Sequence, residues 1–408
     1  MRAEPGAERG HKGCPETGRR LLEGVSLPAA VVHEAPLAHN LAWMQRFAER
    51  RGAWLAPHGK TTMAPALFHR QLAAGAWGIT LATAPQCRDA FAAGVTRLLL
   101  ANQLVGEANM AIVADLLAAG AELTCLVDSE ANAVALDRHF TARDLRLPVL
   151  IELGVAGGRC GCRGEDQALA LAERIAALPG LSLVGLEGYE GLAGDDGERR
   201  VVDYLGEMVA VAQALSAAGR FASPTPLITA AGSAWYDRVA AAFQALGQPF
   251  QAVLRPGCYV VHDHGLYAEA QRGVLAREGL DEGLRPALEV FAQVQSLPEP
   301  GLAIVAMGRR DVGGDRLPLP LRRYREGGAA TESLTVAGWE VTRLMDQHAF
   351  VRLPEPLAGE GDVRVCDVRV GDVVAFGISH PCLTFDRWQR VLRVDEALEV
   401  QEVMETCF

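Results

Sequence analysis

The chain has 408 residues, half of them hydrophobic and 22% charged, the balance of an ordinary globular protein. Its 50 acidic and 39 basic side chains leave a formal net charge of -11 with no basic stripe, which argues against a nucleic-acid or anionic-membrane partner. No apolar run approaches the ~20 residues of a membrane helix, and one hydrophobic core stops growing near ~250–300 residues, so two domains are expected.

Residues 1–24 are polar, rich in Gly, Arg and Glu, and lack the apolar core of a signal peptide. They read as a mobile tail rather than a targeting extension. A first domain is expected over 25–265, although 25–35, with the extended run 26–33, precede the first barrel helix (39–51) and are free to join the second domain. From about residue 50 onward, short apolar runs alternate with Ala-rich amphipathic stretches. The runs are 53–57, 77–82, 97–101, 123–127, 149–153, 183–186, 227–230 and 252–255. The stretches between them are 65–74, 85–93, 108–119, 129–140, 165–178, 198–218 and 234–246. Strands alternating with helices imply parallel βαβ units, and eight units of this total length predict a (β/α)8 TIM barrel. An open doubly wound sheet is the alternative, but no G-x-G-x-x-G follows the first strand.

After Asp263 the texture changes to Pro, Gly and β-rich runs at 287–296, 301–307, 332–344, 349–353 and 372–377. Residues 266–408 are therefore expected to form a mostly antiparallel β domain. Nine cysteines, Cys14, Cys87, Cys125, Cys160, Cys162, Cys258, Cys366, Cys382 and Cys407, are odd in number and scattered. They make no disulfide framework and suit a cytoplasmic protein with thiols packed as small hydrophobes.

The carboxyl ends of barrel strands carry the chemistry in this fold. The first strand delivers His58 and Lys60, the fifth Glu152 and then a loop with Gly154 and Arg159, the sixth Glu187 and Tyr189. The seventh delivers Gly232 and Ser233, and the eighth Arg255, Gly257, Tyr259 and Asp263. A lysine at a barrel mouth is a natural Schiff-base former, because partial desolvation frees its lone pair; a solvated surface amine is the plainer reading. The small residues of Ala231-Gly232-Ser233, opening a helix, let backbone N–H groups approach an anion, although Ser233 also reads as a simple helix N-cap. Arg255-Pro256-Gly257 closes the other side of that seat, or is only a turn. A Schiff-base lysine together with a phosphate seat suggests pyridoxal phosphate (PLP). Tyr189 is then placed to pack on its ring, unless it is a core tyrosine.

Near the C-terminus, Ser379-His380-Pro381-Cys382 offers an imidazole and a thiol two residues apart. In an extended segment both would face one way, and N plus S donors suit Zn2+ with positions left open for water and substrate. His262-Asp263-His264 is a competing metal candidate, and Cys160-x-Cys162 is read as packing.

Taken together, these stretches resemble the D-serine dehydratase and D-threonine aldolase group of PLP enzymes, which pair an alanine-racemase-like barrel with a β domain. The resemblance is carried by Pro57-His58-Gly59-Lys60-Thr61, Gly78-Ile79-Thr80-Leu81-Ala82-Thr83, Glu152-Leu153-Gly154 with Gly158-Arg159-Cys160-Gly161, Gly188-Tyr189-Glu190-Gly191, Ala231-Gly232-Ser233, Arg255-Pro256-Gly257-Cys258-Tyr259 and Ser379-His380-Pro381-Cys382, in the family's order. It implies that Lys60 bonds the cofactor's aldehyde and that His380 and Cys382 hold a divalent metal, zinc foremost and manganese as the alternative. Arg159 becomes a partner for the cofactor ring or the substrate carboxylate. The His-x-Cys pair is more similar to the zinc-using dehydratase branch than to the aldolase branch. Two departures stand near the cofactor: Thr62 and Met63 where a further basic residue is common, and Gly154 where an acidic one is.

The activity expected is β-elimination of water from a D-3-hydroxy amino acid, giving a 2-oxo acid and ammonia. Retro-aldol cleavage to glycine and an aldehyde is the near alternative, and a PLP-binding protein without turnover a further one. A racemase would need a second base, which the sequence does not reveal. The resemblance also implies a homodimer.

Overall fold

The computed structural model describes residues 12, 17–191, 197–325, 332–354 and 367–408. Most of the expected polar tail, together with Cys14 and Cys366, lies outside the described residues. The chain divides into two compact units: Leu41–Tyr259 with Ala270–Gly283, and Met1–Asn40 with Val260–Glu269 and Leu284–Phe408.

A short helix α1 (Leu21–Gly24), strand β1 (Ala29–His33) and helix α2 (Glu34–Arg50) lead into the barrel strands. These follow as β2 (Trp54–Leu55), β3 (Ile79–Leu81), β4 (Arg97–Gln103), β5 (Glu122–Val127), β6 (Leu147–Leu153), β7 (Leu181–Gly188), β8 (Leu227–Ala230) and β9 (Gln251–Leu254). Between them run α3 (Pro65–Ala73), α4 (Ala84–Ala92), α5 (Glu107–Ala118), α6 (Glu130–Thr141), α7 (Glu165–Ala176), α8 (Gly197–Ala217) and α9 (Tyr236–Leu246), and α10 (Leu266–Glu278) comes after the last strand. Each of the eight apolar runs seen in the sequence falls on one of these strands.

The eight strands pair in parallel in the order β2-β9-β8-β7-β6-β5-β4-β3. Trp77 N donates to Leu55 O at 2.7 Å and Thr80 N to Pro57 O at 2.9 Å, which joins the first strand to the second and closes the barrel. Such strands are covered on both faces, which is why they read as near-continuous apolar runs; Leu99, Leu126 and Leu150 form one buried cluster of this sheet. Helix starts are set locally: the hydroxyl of Thr83 accepts from Gln86 N at 3.3 Å and that of Ser129 from Asn132 N at 3.4 Å, caps worth about 1 kcal/mol each.

The other unit holds β10 (Leu288–Glu299), β11 (Leu302–Val305), β12 (Leu319–Tyr324), β13 (Glu340–Leu344), β14 (Ala349–Arg352), β15 (Val373–Gly377), helix α11 (Cys382–Phe385), β16 (Arg390–Val394) and β17 (Val400–Glu405). Its main path runs β13-β14-β11-β10-β1-β16-β17, with β15 between β10 and β12. All of these pairs are antiparallel except β1 with β16. β1 is central here, pairing Val31 with Glu289 on one side and Leu392 on the other. Leu21, Val31, Phe291, Tyr324, Val373, Leu392 and Val400 build the core against this sheet.

Candidate active site

Lys60 lies exposed on a one-turn 3-10 segment, Gly59–Thr61, that follows β2 directly. The turn is compressed between neighbours. A side chain at Gly59 would stand 2.8 Å from the Phe68 ring and 2.8 Å from Ile79, and one at Gly257 would stand 2.8 Å from His58 O and overlap the Thr61 hydroxyl. Glycine at both positions lets the ends of the first and eighth strands meet.

Behind Lys60 the mouth of the barrel is polar. Glu152 and Glu187 are register partners on β6 and β7, and both are buried. Glu152 accepts from Gln103. Glu187 accepts from Nη2 of Arg255, and that nitrogen also donates to Gly188 O at 3.0 Å. Arg255 therefore reaches across to β7 rather than lying only along the loop after β9. Four buried atoms in this cluster, His58 Nδ1, Gln103 Oε1, Glu187 Oε2 and Arg255 Nε, have no hydrogen-bond partner among the described residues. Unspent buried polar atoms are costly, so the cluster fits a polar guest. Burial, then the charges of Lys60, Arg255 and Arg159, push the His58 imidazole well below its ordinary value and keep it neutral. Burial raises the carboxyls of Glu187 and Glu152, against the pull of Arg255 on the first and of Gln103 on the second.

Arg159 sets its guanidinium over the Tyr189 ring at 4.5 Å from the centroid. Tyr189 in turn lies on Gly232, where an added Cβ would stand 3.1 Å from its ring. Burial raises the Tyr189 hydroxyl. The loop after β8 differs from the simple cradle expected. Ala231 N and Gly232 N donate to the carboxylate of Glu190 at 3.1 and 2.6 Å. Ala231 holds φ at 86°, a left-handed conformation costing roughly 1–3 kcal/mol for a residue with a Cβ, which the two Glu190 bonds offset. The turn thus already spends two N–H donors on a carboxyl of this chain, which burial pushes up against the pull of those bonds, and it leads into Ser233 and α9. Ser233 Oγ accepts from Cys258 N at 3.1 Å, tying this loop to the one after β9. Tyr259 is buried with its hydroxyl accepting from Gln71 Nε2 at 3.3 Å. Glu190 was quoted from the sequence only within its motif; its bracing role depends on a contact across 42 residues and has no local signature.

In the β unit, His380 and Cys382 touch: the hydrogen bond between their side chains is the first cause that raises the His380 imidazole, against burial. It is not an extended segment that brings them together. His380 sits at φ 49° and Cys382 begins α11, so the pair meets across a tight turn. Buried Asp263 fixes that turn, accepting from His380 N at 2.8 Å through Oδ2 and from Gly265, Tyr267 and Ala268 N through Oδ1. Of the competing residues, His262 Nδ1 lies 3.1 Å from Asp263 O, and the His264 ring covers Gly377 with its buried Nδ1 lacking a hydrogen-bond partner among the described residues. Among the described residues no group of three or more His, Cys, Asp or Glu side chains is placed to hold a metal. An imidazole and a thiol remain as an N,S donor pair, which fits a zinc-like ion with open positions.

An eight-stranded parallel barrel with a lysine after its first strand, in a chain that also holds a separate, mostly antiparallel sheet, defines the alanine-racemase-like class. The family model "Alanine racemase, N-terminal domain" matches residues 32–263 and the model "Putative serine dehydratase domain" matches residues 287–394. The chain is 28% identical to a D-threonine aldolase of Arthrobacter sp over 389 residues, covering 94% of this chain and 93% of that protein. It is 30% identical over 296 residues to the D-threo-3-hydroxyaspartate dehydratase of Delftia sp. (strain HT23), covering 71% of this chain and 73% of the other. A solved cysteine-to-alanine variant of D-threo-3-hydroxyaspartate dehydratase, described as the metal-free form, superposes with a TM-score of 0.74 at 23% identity over 95% of this chain and 99% of that one. The chain belongs to the D-serine dehydratase and D-threonine aldolase family of PLP-dependent lyases. Membership in a family of enzymes sets aside the reading as a carrier without turnover. Among the described residues no helix is long and apolar enough to cross a membrane.

Proposed function

We propose that the chain is a PLP- and metal-dependent dehydratase of D-3-hydroxy amino acids, converting them to a 2-oxo acid and ammonia. The observation that carries this reading is the contact between His380 and Cys382: a thiol in the donor pair favours zinc over harder ions, and the metal-free cysteine variant of the hydroxyaspartate dehydratase supports a metal role for such a thiol. Bound PLP supplies a sink for the electrons left at the α-carbon, and a bound metal supplies a Lewis acid for the β-hydroxyl.

The chain's own residues do the rest. Lys60 holds the cofactor through its Nζ, and the same nitrogen takes the α-proton when substrate displaces it. His58 stays neutral and offers its free Nδ1, so it orients the cofactor without adding a further positive charge. Arg159 on Tyr189 binds the cofactor ring or the substrate carboxylate, and Arg255 is steadied from behind by Glu187. The turn at Gly232 and Ser233, facing Gly257 and leading to the start of α9, would take the phosphate on donors other than the Ala231 and Gly232 N–H groups, which Glu190 holds. Tyr259 supports this wall from the core side. Asp263 holds His380 for the metal.

Mass spectrometry of products from a panel of D-3-hydroxy amino acids tests the reading. Equal amounts of ammonia and 2-oxo acid are expected; glycine and an aldehyde as the sole products overturn it. That outcome is the second reading, retro-aldol cleavage, which the near full-length similarity to a D-threonine aldolase favours. A homodimer and a cytoplasmic location complete the proposal. The seven described cysteines are all free, as a reducing compartment would keep them, and light scattering that finds a monomer removes the dimer.

A further inference from the structure

The loop that carries Arg159 is gathered by the Arg163 side chain, outside the cluster described above. Arg163 Nη1 donates to Cys160 O at 2.8 Å and also to Gly161 O. Its Nη2 donates to Gly158 O at 3.2 Å and to Arg159 O at 3.1 Å. A single guanidinium thus gathers four successive carbonyls, a task for a planar fork of donors and beyond the reach of a point charge. The loop is folded back on the end of β6: Gly154 N donates to Cys162 O at 2.9 Å and Cys162 N to Glu152 O at 2.8 Å. Gly161 holds φ at 96° while its N–H reaches Asp128 Oδ2 at 3.0 Å. At Gly154 a Cβ would overlap both Cys160 O and Arg163 Nη1. The glycine that stands out in the sequence is therefore part of the same clamp, since no side chain fits beneath the guanidinium.

The clamp includes the residue that faces the site. Arg159, whose carbonyl it grips, turns its own guanidinium to the Tyr189 ring, and its charge is felt by His58, Glu152 and Glu187. We propose that Arg163 is a positioning residue for Arg159, fixing the loop so that the Arg159 guanidinium faces the cofactor and substrate, and acting on the reaction only through it. This rests on the role given to Arg159 under the proposed function. It adds that an arginine gathers the carbonyls of the fifth strand's loop, and that Gly154 and Arg163 form a matched pair.

The test is a mutant cycle in the full-length enzyme, reading the PLP dissociation constant by absorbance titration, with kcat and KM on the best substrate of the panel. Arg159→Met is expected to weaken PLP binding or raise KM roughly tenfold, and Arg163→Met to do the same in the same parameter by roughly three- to tenfold. The double variant should match Arg159→Met within about twofold, because a residue acting only through another adds nothing once that other is gone. Arg163→Lys keeps stem and charge and so guards against a failure to fold; it is expected to behave like Arg163→Met. Losses that multiply in the double variant show an independent structural role and overturn the inference. So does a wild-type PLP constant and KM in Arg163→Lys beside an impaired Arg159→Met. Wild-type behaviour of Arg159→Met overturns the role given to Arg159 and, with it, the inference.

Discussion

Glu289 gives the most quantitative prediction. It stands on β10 with a side chain 5% exposed, 3.0 Å from His33 Nε2. Arg322 grips it with both nitrogens, Nη2 to Oε2 at 2.6 Å and Nη1 to Oε1 at 3.0 Å. Burial pushes this carboxyl up, but His33 and Arg322 outweigh burial and hold it at about 2, against an ordinary 4.5. That gap corresponds to about 3 kcal/mol of stability. A carboxyl held below its unfolded value binds fewer protons folded than unfolded. Its contribution is therefore complete above pH ~5 and drains away as the pH falls toward ~2. Glu289→Gln should cost about 3 kcal/mol at pH 7, and the gap to wild type should shrink to about half by pH ~3. Urea unfolding at pH 7, 5 and 3, followed by tryptophan fluorescence, measures this. A gap below about 0.5 kcal/mol at pH 7, or one that does not change with pH, refutes the reasoning.

Three other substitutions report on the site. Cys382→Ala should lose bound divalent metal in elemental analysis and roughly a hundredfold or more of turnover, while chelator-stripped wild type regains activity with Zn2+; retained metal contradicts the ligand assignment. Gly257→Ala forces the turn of Lys60 away from the eighth strand, so cofactor affinity should drop about tenfold or more in an absorbance titration, at about 1–3 kcal/mol of stability. Unchanged affinity there would mean that the turn is not part of the cofactor seat. Glu190→Gln weakens the bonds to Ala231 N and Gly232 N and should cost about 1–3 kcal/mol, read by thermal unfolding at pH 7–8, with weaker PLP binding beside it.

The barrel was legible because its strands are covered on both sides and its helices are Ala-rich, so the alternation stands out without knowledge of any contact. The β unit was less so. The strands β12 (Leu-Pro-Leu-Arg-Arg-Tyr) and β16 (Arg-Val-Leu-Arg-Val) are not among the runs expected from the sequence, and both carry arginines that interrupt an apolar pattern. Their partners lie far away in sequence: Arg322 with Glu289, Arg323 with Asp372, and Arg393 with Glu34. The expected run 332–344 holds a strand only from Glu340, after a turn in which Gly338 takes φ 76°. At the barrel mouth, Lys60, Ser233 and Gly257 could be picked out by their places at strand ends. The pairing of Glu187 with Arg255, the Glu190 brace and the Arg163 clamp could not, since each is a contact that only the closed barrel or the folded loop creates. The turn at His380 has no local signature either, because Asp263, which accepts from its backbone N–H, lies 117 residues earlier.

The account depends on Lys60 Nζ forming the bond to the cofactor, and borohydride reduction of the PLP-loaded enzyme followed by peptide mapping tests that most directly. A pyridoxyl label confined to the peptide containing Lys60 is predicted. A label on another lysine, or none on an enzyme that still turns over, contradicts it.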